Sequence, residues 1–154
     1  MSNESILIKK AKVNDFLEIA SLDREAWGNN NHSTFIPDGE HVWRIWAEHA
    51  IVLCATQNND LRGVILAFPS IDGSYCVHKV FVKKEYREQG IGSKLFNALL
   101  EEIDKLKVTT FLTVDPDNQT AIALYKKWGY NKSTFVKGFY RPEEDRFVLS
   151  RVIN

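Results

Sequence analysis

The 154-residue sequence predicts a mixed α/β (α+β) fold, with one central mixed sheet of about seven strands and helices on both its faces. Three observations predict it. Apolar positions alternate between strand-like and helix-like spacing, in the order β-α-α-β-β-β-α-β-α-β-β. Two apolar runs, Ile51–Thr56 and Arg62–Phe68, flank the turn N-N-D and read as an antiparallel hairpin. The strand–helix–strand unit from Tyr75 to Val114 is long enough for a right-handed crossover with parallel strands.

The elements follow in order. Ile6–Lys9 is a short strand, and Asn14 or a neighbour caps a helix with Phe16, Ala20 and Trp27 along one face. Residues 28–40, G-N-N-N-H-S-T-F-I-P-D-G-E, form a loop too short to link domains and of a length that is often functional. Glu40–Ala50 is a helix carrying Val42, Trp43, Trp46 and Ala50. After the hairpin, I-D-G turns the chain into the strand Tyr75–Val82. A helix to about Lys107 follows, with Ile91, Leu95, Leu99, Ile103 and Leu106 as its apolar face. Val108–Val114 is β-branched and extended, D-P-D-N is a turn, and Gln119–Trp128 is a helix with Ala121, Leu124, Tyr125 and Trp128 on one face. Asn131–Lys137 and Arg146–Val152 are the last two strands, joined by G-F-Y-R-P-E-E-D. The length suits one domain spanning 1–154, enough to bury about 68–70% of the unfolded surface.

Lysine plus arginine and aspartate plus glutamate each number 20, so the net charge is zero. That argues against nucleic acid or an anionic membrane as a partner. No apolar run nears the ~20 residues that span a bilayer. The N-terminus lacks a signal-peptide layout, which makes the cytoplasm the expected location. Cys54 and Cys76 lie in apolar runs and read as buried free thiols; the N-x-S/T sequons at Asn3, Asn31, Asn118 and Asn131 read as chance matches. His32, His41 and His49 have no ligand spacing, so no metal is expected. Edge strands and four tryptophans leave room for a homodimer.

The informative stretch is E-Y-R-E-Q-G-I-G, residues 85–92, at a strand end and a helix start. Helix N-termini carry N–H groups without intrahelical partners and a positive dipole end, so phosphate binds there. Gly90 and Gly92 either shape a turn or let a ligand approach the backbone. The spacing does not match a P-loop, and the dinucleotide fingerprint fails because position 95 is leucine.

Farther on stands N-Q-T-A-I-A-L-Y-K-K-W-G-Y, residues 118–130. With both stretches in order, the chain resembles the GNAT superfamily of acetyl-coenzyme A-dependent N-acetyltransferases. Arg87, Gly90 and Gly92 match the family's R/Q-x-x-G-x-G/A pattern. Asn118, Ala121, Tyr125, Gly129 and Tyr130 match its N-x-x-A-x-x-x-Y-x-x-x-G-F/Y pattern. The resemblance implies that acetyl-coenzyme A is the cosubstrate. Its pyrophosphate would meet the N–H groups of Arg87, Glu88, Gln89, Gly90, Ile91, Gly92 and Ser93. Its pantetheine would pair with backbone around Val80, Phe81 and Val82, and Asn118 would touch that arm or cap its helix. Lys83, Lys84 and Lys94 suit a polyphosphate or a solvated face.

The implied reaction is acyl transfer from a thioester to a primary amine, with Tyr125 as the acid that protonates the leaving thiolate. The position where many members carry a basic glutamate is His78 here, which serves as base or is an ordinary strand residue; Glu25, Glu40 and His41 are further candidates. Trp27, Phe35, Trp43, Trp46 and Tyr140 border the expected acceptor side, with Trp27 and Tyr140 taken as substrate-binding. The last hairpin, with Tyr140 and Arg141, resembles that of RimI-like protein N-terminal acetyltransferases. It adds peptide α-amines to amino acids and small-molecule amines as acceptor classes. The alternative is a catalytically silent coenzyme A sensor, which would have no use for a phenol at the sulfur.

Overall fold

A computed structural model describes residues 5–28 and 36–153. The elements are β1 (Leu7–Lys10), α1 (Phe16–Gly28), α2 (Glu40–His49), β2 (Ile51–Gln57), β3 (Asp60–Pro69), β4 (Tyr75–Val82), α3 (Ile91–Leu106), β5 (Thr110–Val114), α4 (Gln119–Lys127), β6 (Lys132–Val136) and β7 (Arg146–Arg151). Short 3₁₀ turns at Val13–Asp15 and Lys84–Tyr86 lead toward α1 and α3. The seven strands take the order β1-β2-β3-β4-β5-β7-β6. The sheet is mixed: β4 and β5 run parallel through Tyr75–Thr110 and Cys76–Phe111, while β1–β2, β2–β3, β5–β7 and β6–β7 are antiparallel. No helix among the described residues is long and apolar enough to cross a membrane.

The chain divides into two compact units, Met1–Phe68 with Lys79–Glu102, and Pro69–His78 with Ile103–Asn154. In the first, β2 and β3 are buried over most of their length because helices cover both faces. Val52, Cys54, Val64 and Leu66 join Ile19, Ala20, Leu22, Ala26 and Trp43 of α1 and α2 in one core. Side chains alternate along a strand, so Gly63 faces the other way, where it lies against Ile91 and Leu95 of α3. The β2–β3 turn is Asn58-Asn59, both with positive φ (54° and 65°). That is the type I′ geometry whose twist matches a two-residue hairpin, and asparagine tolerates it best after glycine. In the second unit, Leu112, Val114, Ile122, Tyr130 and Leu149 are buried.

Several expectations shift. Of Asn14 and its neighbours, Asn14 lies inside the 3₁₀ turn, and the side chain that holds this start is that of Asp15, whose carboxylate accepts the Lys12 N–H at 2.8 Å. Trp27 is 48% exposed at the end of α1 rather than on its buried face. Leu106 is 50% exposed because α3 stops there: Lys107 turns into the left-handed region (φ 56°) and the Val108 N–H reaches back to Ile103. On α4 the buried residue is Ile122, while Leu124 is exposed.

Candidate active site

The first unit holds the turn into α3. At the end of β4, Phe81 is buried against the edge of Trp43, and Val80 and Val82 are half-buried. The chain then passes through the Lys84–Tyr86 turn, where the Tyr86 N–H donates to Lys83 at 2.9 Å. The Arg87 N–H points back to Lys84 (3.4 Å), and Arg87 Nε donates to the Val82 carbonyl at 3.2 Å. Arg87 therefore ties the turn to the strand, and its own amide faces away from the helix start.

Glu88 (φ 64°) and Gly90 (φ 80°) both adopt left-handed backbone, which reverses the chain into the helix. The Gly90 carbonyl accepts the first intrahelical bond, from Lys94 N–H at 3.1 Å. The N–H groups of Ile91, Gly92 and Ser93 thus form the first turn, which contains no acidic residue. The two glycines differ. Gly90 is required by its φ. Gly92 has no such φ, and a Cβ added there would meet nothing within 4 Å.

The second unit holds α4. Asn118 caps it, its Oδ1 accepting the Ala121 N–H at 3.2 Å. At the other end the Gly129 N–H bonds to Lys126 and the Tyr130 N–H to Tyr125, with Gly129 left-handed (φ 98°): a Schellman close. The spacing N-x-x-A-x-x-x-Y-x-x-x-G-Y is thus a helix with both ends fixed and Tyr125 one turn from its close. The Tyr125 ring packs edge-on against Tyr130 at 6.3 Å, and Trp128 lies 6.4 Å away. Burial raises the Tyr125 pKa above its ordinary 10. Tyr130, buried and sharing a 2.8 Å hydrogen bond with Thr110, is pushed up to about 12. Both phenols are therefore protonated at neutral pH.

His78 is an exposed β4 residue. Glu25, Glu40 and His41 are exposed as well. Tyr140 is exposed in the last hairpin, its hydroxyl 3.0 Å from Thr113 Oγ1 and its ring under the Arg146 guanidinium at 5.3 Å. Phe35 and His32 lie outside the described residues.

One cluster escaped the sequence reading. Asp23, fully buried on α1, meets Lys79 of β4, whose ammonium is 3.0 Å from both carboxylate oxygens. The same ammonium lies 2.8 Å from Asp38 and donates to the Ile36 carbonyl at 3.1 Å. Asp23 Oδ2 also accepts the Trp43 indole N–H at 3.0 Å and the Asp38 N–H at 2.8 Å. The three ammonium donors are used, and the stretch 36–38 is pinned to β4. A signal existed: Asp23 sits between Ile19 and Ala26 at helical spacing, and Lys79 between Val77 and Phe81 at strand spacing, each a charge at an apolar position.

Residues 15–130 match the family model of the acetyltransferase (GNAT) family. The chain belongs to the GNAT acetyltransferase family. It is 30% identical over 92 residues to the ribosomal protein bS18-alanine N-acetyltransferase of Escherichia coli (strain K12), a match covering 59% of this chain and 62% of that protein. It is 29% identical over 141 residues to the L-2,4-diaminobutyric acid acetyltransferase of Marinococcus halophilus, covering 88% of this chain and 77% of that one. The crystal structure of the Escherichia coli ribosomal-protein-S18-alanine N-acetyltransferase shares the fold, with a TM-score of 0.80 at 24% identity over 97% of this chain and 95% of that one. The GNAT pattern residues of this chain are those that build the turn into α3 and close both ends of α4.

Proposed function

We propose that this GNAT chain, acting as one domain over 1–154, transfers the acetyl group of acetyl-coenzyme A to a primary amine. The acceptor class takes in small-molecule amines, amino acids and peptide N-termini; the two relatives above are named for a protein alanine and for a diamino acid. The observation that carries the reading is Gly92. Glycine inside a helix costs roughly 0.5–1 kcal/mol relative to alanine. Neither backbone angle nor crowding in the protein itself calls for it. A phosphate drawn close to the N–H groups of the first turn does.

In this reading the amides of Ile91, Gly92 and Ser93 hold the pyrophosphate, and Val80–Val82 offers strand-like pairing to the pantetheine arm. The neutral amine attacks the thioester carbonyl, a backbone N–H of Val80–Val82 steadies the oxyanion, and the C–S bond breaks. Tyr125 gives its proton to the departing sulfur. His78, directly or through water, takes the proton the amine sheds.

The test compares two valines by calorimetry with coenzyme A and by thermal unfolding. Gly92→Val should melt close to the parent yet bind at least about tenfold more weakly, a change of 1.4 kcal/mol. Gly90→Val should lose binding and also melt lower, because a β-branched residue is forced to φ 80°. Parent-like affinity in Gly92→Val would remove the cradle assignment. Coenzyme binding without thiol release across an amine panel would instead select the silent-sensor alternative.

A further inference from the structure

β3 carries one residue more than its partner. Ala55 stands opposite Gly63 and Thr56 opposite Leu61, so Arg62 is the extra, bulged residue. Bulges bend a strand and re-aim a side chain. Arg62 is buried although charged. Its carbonyl accepts the Lys83 N–H at 2.7 Å, and its guanidinium lies over the Tyr86 ring, 3.7 Å from the centroid. The Asp60 carboxylate is 3.7 Å away, and Arg62 Nε has no hydrogen-bond partner among the described residues. At the next residue, Gly63, β3 lies close to both β4 and α3. A Cβ there would stand 3.0 Å from the Phe81 carbonyl, 3.2 Å from Leu95 Cδ1 and 3.3 Å from Ile91 Cγ2.

These two residues touch each part of the proposed cradle: Phe81 on the strand, Lys83 and Tyr86 in the turn, Ile91 and Leu95 on the helix. Neither belongs to a pattern that the sequence offers. We propose that the Arg62–Gly63 bulge is the positioning element for coenzyme binding. The guanidinium–Tyr86 stack and the Lys83 hydrogen bond set where the turn stands, and Gly63 sets how close α3 comes to β4. The inference rests on the coenzyme reading above.

Calorimetry with coenzyme A tests it on the full chain, with thermal unfolding in parallel. Arg62→Met should weaken binding by about tenfold, the scale of a desolvated cation–π contact. Tyr86→Leu should do the same, and the double variant should be little worse than either single, since both remove one contact. Tyr86→Phe, which keeps the ring face, should keep the parent's affinity; a role for the hydroxyl would not give that pattern, and a role for volume alone would not give the non-additive double variant. Gly63→Ala should weaken binding further. Parent-like affinity in Arg62→Met, or additive losses in the double variant, would overturn the proposal while leaving the coenzyme reading standing. A parent protein that binds no coenzyme A would overturn both.

Discussion

The turn into α3 and the Asp23–Lys79 cluster belong to the same unit and are built in opposite ways. The turn is contiguous, exposed and made of backbone, and its key residue is fixed by its own torsion angle: Gly90 at φ 80°. The cluster is buried and made of side chains whose partners lie 15, 20 and 56 positions apart. Each of its residues is explained only by the others. A feature encoded in consecutive torsions can be read from consecutive letters. A feature encoded in long-range pairing cannot, because residue type alone does not say which charge will face which.

The largest effect expected from this contrast is at Asp23. Asp23→Ala leaves the Lys79 ammonium buried with Asp38 as its remaining carboxylate and strips the Trp43 and Asp38 N–H groups of their acceptor. Removing one partner of a buried pair costs about 3–5 kcal/mol. Chemical denaturation should show that loss. A change below about 1 kcal/mol would mean that the cluster is no more demanding than an exposed ion pair.

The same contrast explains how much was legible. Turn residues, the hairpin and the Asn118 cap of α4 were readable, because asparagine and glycine at fixed offsets answer local geometry, and the parallel β4–β5 pair was readable from the length of its crossover. Burial at helix margins was not. Trp27 and Leu106 lie in the last turns of α1 and α3, where the apolar spacing continues but the helix has nearly ended. Leu124 lies on α4, a helix of nine residues, short enough that one buried residue, Ile122, defines the inner face. The bulge at Arg62 was invisible for a related reason: it is a mismatch between two strands, and neither strand shows it alone.

Tyr125 lies between the two regimes. Its place is set locally, by Asn118 at one end and Gly129 at the other, but its proposed work depends on one side-chain oxygen. Tyr125→Phe should lower kcat by about 100-fold while the coenzyme A dissociation constant stays unchanged. The pH profile adds a second check. Burial raises the phenol above its ordinary pKa of 10, so it stays protonated through neutral and mildly alkaline solution. Any fall in kcat that reports its ionisation must have its midpoint above the ordinary phenol value of 10 and must vanish in the phenylalanine variant. An alkaline fall below pH 9 that disappears with Tyr125→Phe would contradict the raised value.

The smallest effect sharpens the comparison from the cradle side. Glu88 is a non-glycine residue held at φ 64°, in a turn whose other left-handed position is glycine. Left-handed backbone costs a residue with a Cβ about 1–2 kcal/mol, and glycine escapes that cost while losing more chain entropy on folding. Glu88→Gly should therefore raise stability by at most about 1 kcal/mol. Its affinity for coenzyme A should match the parent, because Glu88 is exposed and the cradle as proposed uses amides rather than the carboxylate. Tighter binding would show that the carboxylate repels the phosphates. Weaker binding would show that the strained residue, and not only the glycines around the helix start, holds the turn in its binding shape.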